Sequence, residues 1–257
     1  MVTEIRKQPT GIAAPSADEL RKKAPDLAEW EISVISEAFP FTMTGLPRLS
    51  VLIEAVQYIK QFGIEGDIVE CGVWRGGSML AVIRTLQRLE TIRSLWLYDT
   101  FAGMSAPSDA DVCYYGAVAD HVFKKVAAAD RDSSDWCRAG RDEVEEILEN
   151  TGYPGERIHY VEGKVEDTIP EIMPDQIAIL RLDTDWYEST RHELEHLYER
   201  VAIGGIVIID DYGYWKGARK AVDEFLESIP DRVFMSRIDS SARVFVKQGR
   251  KVIADPS

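Results

Sequence analysis

Six short apolar runs, separated for the most part by stretches with helical periodicity, constrain what this chain of 257 residues can become more than any other feature. They are IVEC (68–71), SLWLYD (94–99), RIHYVEG (157–163), QIAILRLD (176–183), GGIVIIDD (204–211) and ARVFVK (242–247). Helical stretches at 79–89, 144–150, 190–200 and 218–226 lie between most of them. Upstream, Leu49, Leu52, Ile53, Val56, Ile59 and Phe62 recur at steps of three and four, which predicts an amphipathic helix from Leu46 to Phe62 that stops at Gly63. Short continuous apolar strands alternating with amphipathic helices require a parallel sheet covered on both faces. The expected fold class is therefore α/β, doubly wound.

The length suits one large domain or two small ones, at roughly 100–200 residues each. A hydrophobic fraction of 45% is enough to bury a core. The net charge of −14 repels phosphate backbones and anionic lipid, so neither nucleic acid nor a membrane surface is an expected partner. Cys71, Cys113 and Cys137 are odd in number and widely spaced, without a CxxC pair, which fits a reducing cytoplasm. No apolar window approaches 18 residues and the N-terminal stretch lacks a hydrophobic signal core.

Two segments break the alternation. Residues 1–28 are rich in proline, alanine and charge, and are expected to form a mobile arm with one short helix. Between the second and third strands lies an insertion far longer than such connections usually are, about 104–140 in its most irregular part. That length predicts a functional lid or a subunit contact.

In a doubly wound sheet, ligands bind beyond the carboxyl ends of the strands. Four strands here end in acid: Glu70, Asp99, Asp183 with Asp185, and Asp210 with Asp211. The loop from Gly72 through Gly76 and Gly77 lacks the Lys-Ser/Thr of a P-loop, and Glu70 before it would repel a pyrophosphate. A ligand with a cationic head near Glu70 and a ribose bridged by Asp99 suits these residues, and S-adenosylmethionine has both. Asp183, Asp210 and Asp211 at neighbouring strand ends would repel one another without a cation between them, and their hard oxygens suit Mg2+. Capping of the following helices is the bland alternative for Asp185, Asp210 and Asp211.

The other chemistry-bearing residues say less. His192 and His196 share a helix face, but HELEH lacks the HExxH order, so a solvated face is expected, with Arg191, Glu193, Glu195 and Glu199 as surface ion pairs. His121 falls in the expected lid, where it could contact substrate or act as a base. Trp74, Trp96, Trp186 and Trp215 read mainly as core, with Trp186 and Trp215 placed to wall a sugar or ring.

DIVECGVWRGGS (67–78), YDTFAGM (98–104), LRLDTDWYEST (180–190) and GGIVIIDDYGYWKGARKAVDEF (204–225) resemble the macrocin O-methyltransferase (TylF/MycF) family, whose members methylate deoxysugar hydroxyls on glycosylated natural products. The likeness runs from about Thr42 to Val246 and departs most in the arm and the lid. It implies a class I methyltransferase (Rossmann-like) fold with a mostly parallel seven-stranded sheet. The antiparallel C-terminal edge would come from VFMSRID (233–239) and ARVFVK. Residues 1–45 would then be an arm contacting substrate or a neighbouring subunit, and 46–250 the methyltransferase domain. It further implies S-adenosylmethionine contacts from Thr42, Met43, Glu70, Gly72, Trp74, Arg75, Gly76, Asp99, Thr100 and Phe101, with adenine near Gly163, Lys164 and Val165. Mg2+ on Asp183, Asp210 and Asp211 and a homo-oligomer are implied as well.

The expected reaction is in-line attack by a sugar hydroxyl of a small glycoside on the sulfonium methyl. Asp183 would serve as metal ligand and base in one, with Asp185 as the alternative. Metal-dependent catechol-type relatives can carry a base three residues after the first aspartate, but that position here is Trp186. A metal-dependent glycosyltransferase, using Asp183-Thr-Asp185 as a DxD motif, is the rival reading.

Overall fold

In the computed structural model of the chain, which describes residues 14–127, 134–230 and 232–249, the apolar runs form one seven-stranded sheet among the described residues. The strands are β1 (Asp67–Cys71), β2 (Leu95–Asp99), β3 (Ile158–Glu162), β4 (Ile177–Leu182), β5 (Val201–Ile209), β6 (Ser236–Arg237) and β7 (Arg243–Val246), in the order β3-β2-β1-β4-β5-β7-β6. The first five are mutually parallel, and β7 runs antiparallel to β5 with β6 antiparallel to β7. The expected edge strand over 233–239 shrinks to two exposed residues, with Phe234 81% exposed rather than packed. No helix among the described residues is long and apolar enough to cross a membrane.

Side chains alternate across each strand, and the two faces bury different helices. Helices α1 (Ala17–Lys23), α2 (Glu29–Ala38), α3 (Leu46–Gln61) and α4 (Gly77–Arg88) share one apolar cluster with Ile68, Leu95, Leu97, Ile179, Ile206 and Ile208. Helix α5 (Ala119–Val126) belongs to the insertion, and α6 (Arg141–Glu149) adds Val144 and Leu148 to that same cluster. Helices α7 (Val165–Thr168), α8 (Tyr187–Leu197) and α9 (Lys216–Ser228) cover the other face over Val69, Cys71, Leu180, Leu182, Val207 and Ile209. Both faces of the central strands are therefore dry, which is why their sequences read as unbroken apolar runs.

Over the described part of the expected arm, 14–28, the one short helix expected there forms as α1, but it packs on the domain instead of standing free. A capping box starts α1: Ser16 Oγ accepts from the Glu19 N–H at 3.3 Å, and Glu19 Oε2 accepts from the Ser16 N–H at 2.8 Å. Leu20 is fully buried, and α2, which the periodicity reading passed over, inserts Ile32, Val34, Ile35 and Ala38 into the core. The rest of the arm, 1–13, lies outside the described residues, as do 128–133 of the insertion.

One backbone approach sets the position of everything above the sheet. Gly72 follows β1 with φ +85°, and a Cβ there would overlap the Asp183 carbonyl oxygen. Only glycine lets the loop after β1 press against the end of β4. The Asp183 N–H in turn donates to the Cys71 carbonyl at 2.8 Å, carrying the ladder one residue past the strand.

Leu20→Ala is expected to destabilise the protein by about 2–5 kcal/mol, the cost of a cavity in a packed core. Chemical denaturation of the full chain measures it. A change within about 0.5 kcal/mol of zero, as for a surface site, would show that α1 does not belong to the core.

Candidate active site

Above the carboxyl ends of β1, β2, β4 and β5 lies a cavity of about 760 Å³. Thr42, Met43, Gly72, Trp74, Asp99, Thr100, Gly163, Lys164 and Val165 line it toward β2 and β3, and Asp183, Asp185, Asp210 and Asp211 line it toward β4 and β5. Of the residues expected to hold a cofactor, four do not reach it. Glu70 is buried beneath the floor; the Arg75 side chain donates to Glu143 Oε1 at 2.6 Å and to the Pro40 carbonyl at 3.0 Å. Gly76 faces Val144 at the start of α4, and the Phe101 ring is buried beside Tyr160. His121 is exposed on α5 and is not among the lining residues.

Asp99 organises the β2 side. Its Oδ2 accepts from the backbone N–H groups of Val73 at 2.7 Å and Trp74 at 3.0 Å, and its Oδ1 accepts from the Phe101 N–H at 2.8 Å. One carboxylate thus ties the loop after β1 to the loop after β2. Burial raises its pKa above the ordinary aspartate value, against the pull of those three N–H donors. Trp74, Cys137 and Asp185, all lining the cavity, hold left-handed backbone at φ 49°, 53° and 68°. Non-glycine residues kept in that region cluster at functional sites, where packing over-determines them.

The β4 and β5 side is an acidic cluster built on one buried cation. Arg181 stands directly opposite Glu70 in the β1–β4 register. Its Nη1 donates to Glu70 Oε1 at 2.6 Å and to Asp183 Oδ2 at 2.8 Å, and its Nη2 to Asp210 Oδ1 at 2.7 Å. Arg48, from the first turn of α3, donates from Nη1 to Asp210 Oδ2 and from Nε to Asp239 Oδ2 at 2.7 Å. Asp183, Asp210 and Asp211 each present an oxygen within 4.8 Å of the others. Two guanidiniums thus face six carboxyl groups: Glu70, Asp183, Asp185, Asp210, Asp211 and Asp239.

The shortfall of positive charge shows in the titration. Burial pushes Glu70 up to about 7 against the attraction of Arg181, and Asp185 up to about 7 with help from the Asp183 charge. Asp183 and Asp211 are raised well above the ordinary value: burial raises Asp183 against the attraction of Arg181, with neighbouring carboxylates adding to it, and burial then the Asp185 and Asp210 charges raise Asp211. Asp211 Oδ2 is buried with no hydrogen-bond partner. An orphaned carboxylate oxygen beside two other acids fits a hard divalent cation such as Mg2+.

Three indoles wall the cavity. Trp136, Trp186 and Trp215 pack edge to face with ring centroids 5.1 to 6.3 Å apart. Trp215 Nε1 donates to Asp185 Oδ1 at 2.8 Å, and Trp186 Nε1 to the Ser105 carbonyl at 3.1 Å. Asp185 is therefore held by an indole rather than capping α8. That service comes from Asp111 in the insertion, fully buried, whose Oδ1 accepts from the Tyr187 N–H at 2.8 Å while Oδ2 accepts from the Ser108 N–H at 2.7 Å.

The helix carrying His192 and His196 departs from the expected solvated face. Both histidines are half-buried, with ring nitrogens 2.9 and 2.8 Å from backbone carbonyls. Glu193 is fully buried and accepts from Thr184 Oγ1 at 3.0 Å, so it is no surface ion pair, whereas Arg191 and Glu195 form one at 2.7 Å. Arg48, Arg181 and Asp111 were not singled out in the sequence. A charged residue inside a central apolar strand was the available signal for Arg181; Arg48 and Asp111 had none.

The profile of the Macrocin-O-methyltransferase (TylF) family matches residues 5–247. The chain is 34% identical to the demethyldecarbamoylnovobiocin O-methyltransferase of Streptomyces niveus over 186 residues, which is 72% of this chain and 67% of that one. It is 35% identical to the 8-demethyl-8-(2,3-dimethoxy-alpha-L-rhamnosyl)-tetracenomycin-C 4'-O-methyltransferase of Streptomyces olivaceus over 187 residues, 72% and 67% of the two chains. Among solved structures, that of the O-methyltransferase NovP superposes with a TM-score of 0.69 at 28% identity, covering 81% of this chain and 83% of that chain. With a seven-stranded sheet closed by an antiparallel edge and a cavity over the ends of its parallel strands, this chain is a methyltransferase and belongs to the macrocin O-methyltransferase (TylF) family.

Proposed function

We propose that the protein transfers a methyl group from S-adenosylmethionine to a sugar hydroxyl, that of a deoxysugar included, on a glycosylated natural product, with Mg2+ at Asp183, Asp210 and Asp211. One observation carries this reading: a single cavity joins the pocket between Asp99 and Gly72–Trp74 to the acidic cluster, with aromatic rings along one side. The relatives named above, a demethyldecarbamoylnovobiocin O-methyltransferase and a 4'-O-methyltransferase of a dimethoxyrhamnosyl-tetracenomycin C, support the same reading.

S-adenosylmethionine supplies an activated methyl on a sulfonium, and the residues suited to hold it are Thr42, Met43, Gly72, Trp74, Asp99, Thr100, Gly163, Lys164 and Val165. Mg2+ supplies positive charge that offsets the carboxylates and lowers the pKa of an acceptor hydroxyl. The chain's own residues do the rest. Arg181 engages Asp183 through Oδ2, which leaves Oδ1 to take the hydroxyl proton. Asp185 suits that role less, because its Oδ1 already accepts from the Trp215 indole. His121, outside the lining, is not placed for it. The indole wall offers an apolar face against which a sugar ring can stack, and Trp215 holds Asp185 at the cavity floor. Asp99 holds both adjoining loops, so the cofactor side is shaped before anything binds.

The glycosyltransferase alternative is not favoured. A DxD motif needs both carboxylates directed at one cation, whereas Asp185 Oδ1 is taken by the Trp215 indole, and the family that the chain matches is one of methyltransferases.

Labelled methyl donor, Mg2+ and a panel of deoxysugar glycosides test the activity directly; transfer to no sugar hydroxyl would remove the reading. Asp183→Ala is expected to lower turnover ~10²-fold or more while S-adenosylhomocysteine still binds, and excess chelator is expected to abolish activity until Mg2+ is restored. Full turnover in chelator would end the metal assignment.

Calorimetry should detect S-adenosylhomocysteine binding to the wild type and weaker binding to Asp99→Ala, because the loops that Asp99 joins come apart. Equal affinity in the two proteins contradicts that role.

Raised carboxyl pKa values also predict a pH trend. Glu70 and Asp185 favour their neutral forms in the fold, up to about 7, whereas unfolded carboxyls titrate near about 4. The stability they contribute is complete below about pH 4 and lost as pH rises through about 7. Metal-free protein should therefore melt lower at pH 8 than at pH 5.5, and Mg2+ should raise Tm more at pH 8. Scanning fluorimetry with and without chelator reads both; a Tm independent of pH across this range contradicts the buried-acid account.

A further inference from the structure

Both oxygens of Asp210 are already engaged by guanidinium groups, Oδ1 by Arg181 and Oδ2 by Arg48. The two arginines differ in kind. Arg181 is sealed in the sheet at 3% exposure, whereas Arg48 is 19% exposed, lines the cavity, and divides itself between Asp210 and Asp239. Asp239 is a fixed anchor at the turn between β6 and β7. Its Oδ1 accepts from the N–H groups of Ser241 at 2.8 Å and Ala242 at 2.7 Å, and Ser241 Oγ donates to the Asp210 carbonyl at 2.8 Å. Arg48 thus has a second, immobile carboxylate to hold when its hold on Asp210 is released.

We infer that Arg48 is a positioning residue that competes with a divalent cation for Asp210 Oδ2, and that Asp239 sets the strength of the competition by drawing the guanidinium away. The inference rests on the divalent-cation reading above. A guanidinium on Asp210 Oδ2 occupies one of that oxygen's lone pairs and narrows the approach of a hard cation, and a full positive charge a few ångströms away opposes a second one. Arg48 therefore lowers cation affinity while keeping Asp210 compensated in the empty site, where an unpaired buried carboxylate would be costly. Asp239 acts in the opposite sense.

The test reads binding, not turnover. Free Mn2+ is followed by electron paramagnetic resonance in titrations of the full chain at fixed pH and ionic strength. Arg48→Met keeps much of the stem and removes the charge, and its Kd for Mn2+ should fall on the order of tenfold. Asp239→Asn keeps an oxygen for the two N–H donors but releases Arg48 onto Asp210, and its Kd should rise roughly threefold or more. A merely structural role for the pair would weaken binding in both variants.

Unchanged or weaker binding in Arg48→Met, or a shift of both variants in the same direction, overturns the competition while leaving the wild-type cation site standing. Absence of saturable Mn2+ binding in the wild type and in Arg48→Met overturns the cation site and the competition with it. Circular dichroism checks the fold of each variant. Should Arg48→Met not fold, Arg48→Gln takes its place with the same expected sign.

Discussion

A guanidinium buried in the middle of the sheet is the constraint from which the site follows. Arg181 faces Glu70 across the β1–β4 ladder and reaches Asp210 beyond β5, so three adjacent strands share one charge. Strand alternation explains the arrangement: Ile179, Arg181 and Asp183 follow one another on a single face, as do Ile68 and Glu70, and Ile208 and Asp210. The acids can lie this close only because Arg181 lies among them. Its removal would leave Glu70 buried without a cation and Asp210 with Arg48 alone.

Much of this was legible in the sequence because it is local. The central strands announced themselves as apolar runs with an acid at the tip, and the glycine loop lay where the chain must turn into α4. Placement of the acids at one end of the sheet followed from parallel topology alone. The identity of the partner to Glu70 did not. Spacing suggested that it would meet a ligand's cation, and it meets Arg181 instead, one layer below the cavity. A lone arginine in an otherwise apolar strand has several explanations until the opposing strand is known.

What the sequence withheld depends on contacts that no local pattern encodes. Arg48 is separated from Asp210 by 162 residues and from Asp239 by 191, and its helix reads as amphipathic with or without that pairing. Asp111 sits in an irregular insertion, yet supplies the carboxylate that receives the first N–H of α8. Helix α2 and the fully buried Leu20 were hidden for another reason. Charged and turn-forming residues dominate the composition near them, and the few apolar positions that matter gain meaning only when α3 and α4 are there to receive them.

The acidic floor and the indole wall act as one unit, because each gives the other its effect. Carboxylates in open water would be screened and would repel one another weakly, with little to gain from a cation. Beside Trp215 and Trp186 these groups are partly withdrawn from water, their pKa values rise, and charge–charge interactions among them strengthen. The wall is in turn held by polar contacts, Trp215 on Asp185 and Trp186 on the Ser105 carbonyl of the insertion. The insertion therefore does more than cover the cavity: through Ser105 it holds the Trp186 ring, and through Asp111 the start of the helix that follows the acids of β4. Sequence change there would alter both which acceptor fits and how strongly the floor acts on it, which couples specificity to turnover within one short stretch of chain.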